Sequence, residues 1–377
     1  MDLPLLTLLL VLALAFANGT NDVSKAIATL VGSGVTNSRK AIAWGTFWTM
    51  VGAAASAFVA TAMVKTFSTG LIRPDETVPP ALAPGVLSGT VLWVLLASRV
   101  GLPVSTTHAL TGSLVGAGLL AYGREGLVWE TVLNKIVLPL LLSPFLSLGV
   151  ACFLHPLLRL IANRWEGLCV CVMPHHRALV TIDGQGYTRT LYQVSGPGIP
   201  VVSVPSQCDR AGLSGPAFGV DSIHWLSSGL TSLARGTNDA PKIAAMLLLG
   251  SLHAMWPSPT LQMLAFAGVA AAMGAGSYCG GQRVTEVLAE RVTTMNHVEG
   301  LSANLTTSSL VLLSGSLGLP VSTTHLCGSA IIGIGLLRGK ASVHWATVRD
   351  MVLAWIVTAP VSATLACLAY FLFSRTL

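Results

Sequence analysis

The chain has 377 residues, of which 53% are hydrophobic and only 10% charged, and its mean hydropathy is +0.71. These values exclude an ordinary soluble domain and describe a polytopic membrane protein. The formal net charge of +6 does not mark a nucleic-acid binder, because the basic residues are scattered over loops, where Lys and Arg set membrane topology.

Apolar runs of about 18 to 25 residues, long enough to cross hydrocarbon, recur along the chain and predict roughly 10 to 12 membrane segments. None shows the alternation of a lipid-exposed barrel, so the expected class is all-α. The first element covers 3–34. It reads as a broken helix with halves 3–17 and 23–34, because Asn18, Gly19 and Thr20 favour a non-helical break and Asn21 or Asp22 can cap the second half-helix. No Lys or Arg precedes the leading run, which also continues past the break, so it reads as membrane helix rather than a cleaved signal. A span at 41–64 comes after Arg39 and Lys40. Residues 65–82 carry Pro74, Pro79 and Pro80 with Lys65, Arg73, Asp75 and Glu76, which suits a loop. Segment 84–100 ends at Arg99. Gly101-Leu102-Pro103-Val104-Ser105-Thr106-Thr107-His108 then opens another that runs to Tyr122, and a span at 129–155 carries Pro139 and Pro144 as kink sites.

Residues 156–220 break the apolar pattern with five arginines (Arg159, Arg164, Arg177, Arg189, Arg210) against three acids. They read as a connecting loop between halves, placed on the cytoplasmic side by the positive-inside rule. Cys169, Cys171, His175, His176 and Cys208 cluster here, but C-x-C beside a His pair lacks structural-zinc spacing, and these read as loop cysteines of a reducing cytosol. Cys152, Cys279, Cys327 and Cys367 lie in apolar segments and read as small hydrophobes. From 221 the first half is replayed. A second broken element covers 222–250, a span 258–280 and an amphipathic surface helix 282–298, with apolar segments 301–317, 320–337 and 343–373 after them.

The repetition has a fixed register. Asp239 lies 217 residues after Asp22, and His325 lies the same 217 after His108. Two homologous halves, 1–155 and 221–377, joined by the linker 156–220, are the economical explanation, and an odd number of crossings per half would invert one against the other.

Two motifs carry chemistry. Asn18-Gly19-Thr20-Asn21-Asp22-Val23-Ser24-Lys25 and Arg235-Gly236-Thr237-Asn238-Asp239-Ala240-Pro241-Lys242 place carboxylates inside apolar runs, where each costs at least about 2.5 to 3.5 kcal/mol unless compensated. Each aspartate can simply cap a half-helix and pair with the lysine three residues on, on the same face. Alternatively Asn21, Asp22, Asn238, Asp239 and unwound carbonyls offer hard oxygen ligands to a small cation. The second motif, L-P-V-S-T-T-H, is identical at 102–108 and 319–325. A proline-led helix start leaves backbone N–H groups unpaired, and Ser105, Thr106, Thr107, Ser322, Thr323 and Thr324 add hydroxyls, together a cradle for a tetrahedral oxyanion. The same residues also cap and bridge packed helices. The histidines suit either a proton shuttle or a buried structural hydrogen bond. A Ser-His hydrolase is disfavoured, since catalysis wants one asymmetric nucleophile rather than two identical copies.

These doubled motifs, with Gly300-Leu301-Ser302-Ala303-Asn304-Leu305, resemble the inorganic phosphate transporter (PiT) family over both halves. The resemblance implies Na+- or H+-coupled phosphate uptake by two inverted repeats in the plasma membrane, with no other cofactor. Asn21, Asn238, Lys25, Lys242 and the two Ser-Thr-Thr triplets would bind phosphate, and Asn21, Asp22, Asn238 and Asp239 the cation. The family's commonest first motif reads G-A-N-D-V-A-N-A, so Thr20 and Lys25 depart from it. The added lysine leaves sulfate or another oxyanion as the alternative substrate and a cation exchanger as the more distant one. A homodimer is compatible with the sequence.

Overall fold

A computed structural model of the protein describes residues 2–59, 61–68, 70–73, 77–164, 168–173, 176–182, 188–194, 199–203, 217–249 and 258–376. Pro74, Asp75, Glu76, His175, Cys208 and Arg210 lie outside the described residues. The chain divides into two compact units, Met1–Pro156 with His224–Leu377, and Leu157–Ile223.

The larger unit is helical. Its first half comprises α1 (Leu3–Asp22), α2 (Ser24–Gly32), α3 (Ser38–Val59), α4 (Thr61–Ser68), α5 (Leu82–Arg99), α6 (Thr106–Tyr122) and α7 (Leu138–Arg164), the last entered through a π-helical turn at Thr131–Val137. The second comprises α8 (Val220–Leu249), α9 (Pro259–Gly280), α10 (Gln282–Glu290), α11 (His297–Ser316), α12 (Thr323–Leu337) and α13 (Trp345–Phe373). Among the described residues, six helices are long and apolar enough to cross a membrane. Helix α8, which carries Asp221, Arg235, Asp239 and Lys242, and helices α6 and α12, with only 17 and 15 residues, are not among these six. The π turn sits just before Pro139, whose missing N–H cannot serve the carbonyl of Lys135.

The G-T-N-D motifs do not unwind the backbone, which corrects the expected break at Asn18–Thr20. The first helix is interrupted only at Val23, which itself keeps φ −57 and ψ −35, and α8 continues through its motif without interruption. The glycines serve close approach instead. A Cβ on Gly19 would collide with the Met273 carbonyl of α9, and one on Gly236 with the Thr49 carbonyl of α3. The same holds for Gly276 against Phe16 O and Gly52 against Leu233 O. Helix α1 thus crosses α9, and helix α8 crosses α3, at backbone contact.

Helix directions emerge from paired contacts. His224 Nε2 lies 3.0 Å from Thr29 Oγ1, Ser228 Oγ donates to Ala26 O at 2.8 Å and Arg235 Nη1 to Asn18 Oδ1 at 3.4 Å. As the number rises on α8 it falls on α1–α2, so these elements, 217 residues apart, are antiparallel. Helix α6 runs with α13, Gly112 against Ala359 and Gly116 against Ala363, whereas α12 runs against it, His325 on Trp355 and Gly328 on Met351.

Helix α10 has the amphipathic face expected of it, and that face packs on protein: Val284 and Leu288 are fully buried, as is Val292 just beyond the helix, and Gly32 of α2 packs on Ala289. The smaller unit contains strands, not the connecting loop expected. Strands β1 (Leu168–Met173), β4 (Ile199–Ser203) and β5 (Ala217–Phe218) form one antiparallel sheet in the order β4-β1-β5, and β2 (His176–Ile182) pairs with β3 (Thr188–Val194). Their Val, Ile and Thr content suits strands, which the surrounding Gly and Pro residues obscured. Cys169 and Cys171 stand in β1, in register with Ser203 and Val201.

Candidate functional site

The motif side chains converge where α1 and α8 cross. Two extended tips meet there, Gly101–Ser105 between α5 and α6, and Leu319–Ser322 ahead of α12. Ser105 (φ −95, ψ 113) and Ser322 (φ −91, ψ 107) are matching N-caps, accepting from the backbone N–H of His108 and His325, each at 3.2 Å. Proline cannot continue a helix backwards, so each L-P-V-S run stays extended and delivers its threonines to the first helical turn. The tips are tied together by Thr324 Oγ1, which donates to Val104 O at 2.7 Å. Ser105 bonds the backbone of His108 rather than its ring, so no nucleophile–base pair forms there.

Both aspartates are paired as helical spacing predicts. Lys25 Nζ hydrogen-bonds Asp22 Oδ1 and donates to Val104 O at 2.8 Å. Lys242 Nζ donates to Asp239 Oδ1 at 3.1 Å and to Thr107 Oγ1 at 2.8 Å. All four side chains are buried. A buried pair is compensated only when its remaining polar atoms are bonded, and here the tips supply those bonds. Asn18 Nδ2 bridges the two carboxylates, at 2.9 Å from Asp22 Oδ2 and 3.3 Å from Asp239 Oδ2, and reaches Thr106 Oγ1 at 3.2 Å.

The two asparagines differ. Asn21 anchors the first tip: its Nδ2 donates to Leu102 O at 3.0 Å and Ser98 Oγ at 3.1 Å, and its Oδ1 accepts from Val104 N at 3.1 Å. Asn238 Nδ2 donates to Asp239 Oδ1 at 3.1 Å and Val321 O at 3.4 Å, but its Oδ1 is buried without a partner in the protein. Thr323 is buried close by in the first turn of α12. The His108 and His325 rings meet at a tilt of 47° with centroids 4.5 Å apart, and His325 Nδ1 lies 3.1 Å from Leu140 O.

Sequence reading passed over Arg235. It is 1% exposed, its Nη2 donates to Thr49 Oγ1 at 2.6 Å and Nη1 to Asn18 Oδ1, and its Nε has no partner in the protein. The signal was present: Arg235 and Asn18 head the two motif copies at the same 217-residue offset, and an arginine inside an apolar helix is costly unless used. With it, three cationic side chains face two carboxylates, an excess of one positive charge in a water-poor setting.

A family model described as the phosphate transporter family matches residues 18–366. The chain belongs to the phosphate transporter family. A protein of Pyrococcus abyssi that bears a phosphate permease name is 29% identical over 97% of this chain and 96% of its own length. One of Mycobacterium leprae, named as a low-affinity inorganic phosphate transporter, is 27% identical over 98% of this chain and 78% of its own. A solved structure titled as the sodium-dependent phosphate transporter shares the fold, with a TM-score of 0.75 over all of both chains at 22% identity. The family assignment and the six apolar helices make this a multi-pass membrane protein.

Proposed function

We propose that the chain imports inorganic phosphate across the plasma membrane by cation symport. The observation that carries this reading is the excess of cationic over anionic side chains beside two helix N-termini, a surplus that an oxyanion complements. Phosphate sits between Thr106, Thr107, Thr323 and Thr324 and the head groups of Arg235, Lys25 and Lys242, with the Ser105 and Ser322 caps holding the N-termini open. Asp22, Asp239 and the unpartnered Asn238 Oδ1 provide oxygens for the coupling cation, and Asn21 holds the tip beside it.

The two halves are inverted repeats, a reading supported by the opposed directions of α1–α2 and α8. Self-equivalent pairs also meet: Asn18 with Arg235 and His108 with His325, each 217 residues apart. Residues that touch their own counterparts lie on the pseudo-two-fold axis, so substrate binds between the repeats and access alternates as one moves against the other. The segment 156–220 is the cytoplasmic linker between them.

Energetics sets the coupling. A monoanion entering a negative-inside cell opposes about 2.3 kcal/mol per 100 mV, so two cations per phosphate make the voltage assist uptake. Sodium is the coupling ion favoured by the solved structure of like fold, whose title makes it sodium-dependent. The test is uptake of labelled phosphate and, separately, sulfate into proteoliposomes under Na+ or H+ gradients. Phosphate uptake driven by the Na+ gradient, with net inward positive charge, is expected. Uptake of sulfate alone, or an outward current, overturns the reading.

A further inference from the structure

A cavity of about 890 Å³ opens between α1, α5, α9 and α10, and its lining includes Thr20, Ser98, Arg99, Cys279, Arg283 and Glu286. Its inner end touches the candidate site. Ser98 Oγ accepts from Thr20 Oγ1 at 3.0 Å and from Asn21 Nδ2 at 3.1 Å, so a single hydroxyl separates the cavity from the asparagine that anchors the first tip. Arg99 and Arg283 are exposed, and Arg283 Nη1 donates to the Arg99 carbonyl at 2.5 Å, which fixes its guanidinium at the C-terminal end of α5. Glu286 is engaged by Gln282 Nε2 at 2.9 Å. Two guanidiniums against one carboxylate, in a recess with low-dielectric walls, concentrate anions at its mouth.

The corresponding positions of the other half lack this chemistry. At the 217-residue offset Ser98 and Arg99 correspond to Gly315 and Ser316. The Gly52 and Gly276 crossings are 224 apart, and at that offset Arg283 corresponds to Val59. Ser98 and Arg99 come from the first half and Arg283 from the second, and none of the three recurs at its equivalent position, so the arrangement exists once and not twice.

We infer that this cavity is an oxyanion-collecting vestibule serving one face of the membrane, with Arg99 and Arg283 as the collecting residues and Ser98 as the gate to the site. The consequence is a transporter with unequal apparent affinities for its anion on its two sides. The inference rests on the proposed function for its transport arm and on geometry alone for its chemical arm.

Cys279, an exposed free thiol in the cavity wall, reports on both. The full chain in proteoliposomes is treated with membrane-impermeant methanethiosulfonates bearing either a sulfonate or a trimethylammonium group. Modification is read by the mass of the Cys279 peptide, with Cys279→Ser as control. Expected is modification from one face only, with the anionic reagent favoured about tenfold over the cationic one relative to a free small thiol, a preference that added salt erases. Phosphate should slow the reaction. Arg99→Gln with Arg283→Gln should abolish the preference and raise the phosphate KM about tenfold from that face while leaving the other face within about twofold. Arg99→Lys with Arg283→Lys should restore both. An unreactive Cys279, equal rates for the two reagents, or a KM change equal on both faces overturns the inference. If the chain carries no phosphate, only the reading of function falls, and the reagent preference still decides whether the cavity collects anions.

Discussion

Arg235 decides the charge balance of the site, and its effect is separable from that of the aspartates. Replacing it by Gln removes the excess positive charge and, because the amide ends near the position of Nε, also the Nη contacts to Thr49 and Asn18. A hydrogen bond to a charged group is worth about 1.5 to 3 kcal/mol, so Arg235→Gln should weaken phosphate affinity by roughly 10- to 150-fold. The check is the phosphate concentration dependence of uptake at saturating Na+; a change in Na+ dependence with unchanged phosphate dependence would assign Arg235 to the cation instead. Asp22→Asn or Asp239→Asn acts on the other side of the balance. Either should abolish cation-coupled uptake while the protein still reaches the membrane, and normal coupled uptake by both variants would remove the carboxylates from the cation site. The paired lysine adds a cost, since breaking a buried ion pair destabilises by about 3 to 5 kcal/mol. Thermal stability should therefore be recovered, but not coupling, in Asp22→Asn with Lys25→Met. The residue types and spacings that place Asp22 on Lys25 and Asp239 on Lys242 were legible in the sequence because i to i+3 contacts are local. The bridge from Asn18 to Asp239, over 221 residues, was not, because nothing local specifies which two helices cross.

At the scale of elements, the sequence showed where polarity interrupts apolar runs, and it was misleading about the effect of the interruption. Gly19 inside an apolar run is compatible with an unwound turn or with a helix whose backbone must be approached closely. Only the partner distinguishes them, and the Met273 carbonyl is that partner. The proline-led starts of α6 and α12 were legible for the opposite reason: proline and a Ser cap act within a few residues. The crossings carry a prediction of their own. A side chain at Gly276 must displace the Phe16 backbone of α1, and one at Gly52 the Leu233 backbone of α8. Overpacking typically costs about 1 to 3 kcal/mol, and backbone obstruction sits at or above the top of that range. Gly276→Val and Gly52→Val should each lower the thermal unfolding midpoint in detergent by several degrees or prevent folding. Gly315→Ala, where a Cβ meets nothing, should leave the midpoint within about one degree, since it sits on a helix that favours Ala. Equal midpoints for Gly276→Val and Gly315→Ala would show that the crossing is looser than its backbone contacts require.

For the whole molecule, the question is whether the two halves face the membrane in opposite senses. Parallel repeats related by an axis along the membrane normal would put equivalent loops on the same face, and inverted repeats put them on opposite faces. Contacts argue for inversion: α6 and α12 are equivalent at the 217-residue offset, yet α6 runs with α13 and α12 against it. The loop after α6, which holds Glu125, and the loop after α12, which holds Lys340, therefore emerge at opposite ends of α13. Both residues are exposed, and neither takes part in the site. Glu125→Cys and Lys340→Cys, each introduced into a chain with its native cysteines replaced by serine, should react with an impermeant thiol reagent from opposite sides of the membrane. Inversion would give the proposed alternating access a physical basis, because a symmetric pair of conformations would then exchange the roles of the two halves across the Asn18–Arg235 and His108–His325 contacts. Labelling of both positions from one side would require the repeats to be parallel and would leave the shared axis through those contacts without a mechanism for exposing the site alternately.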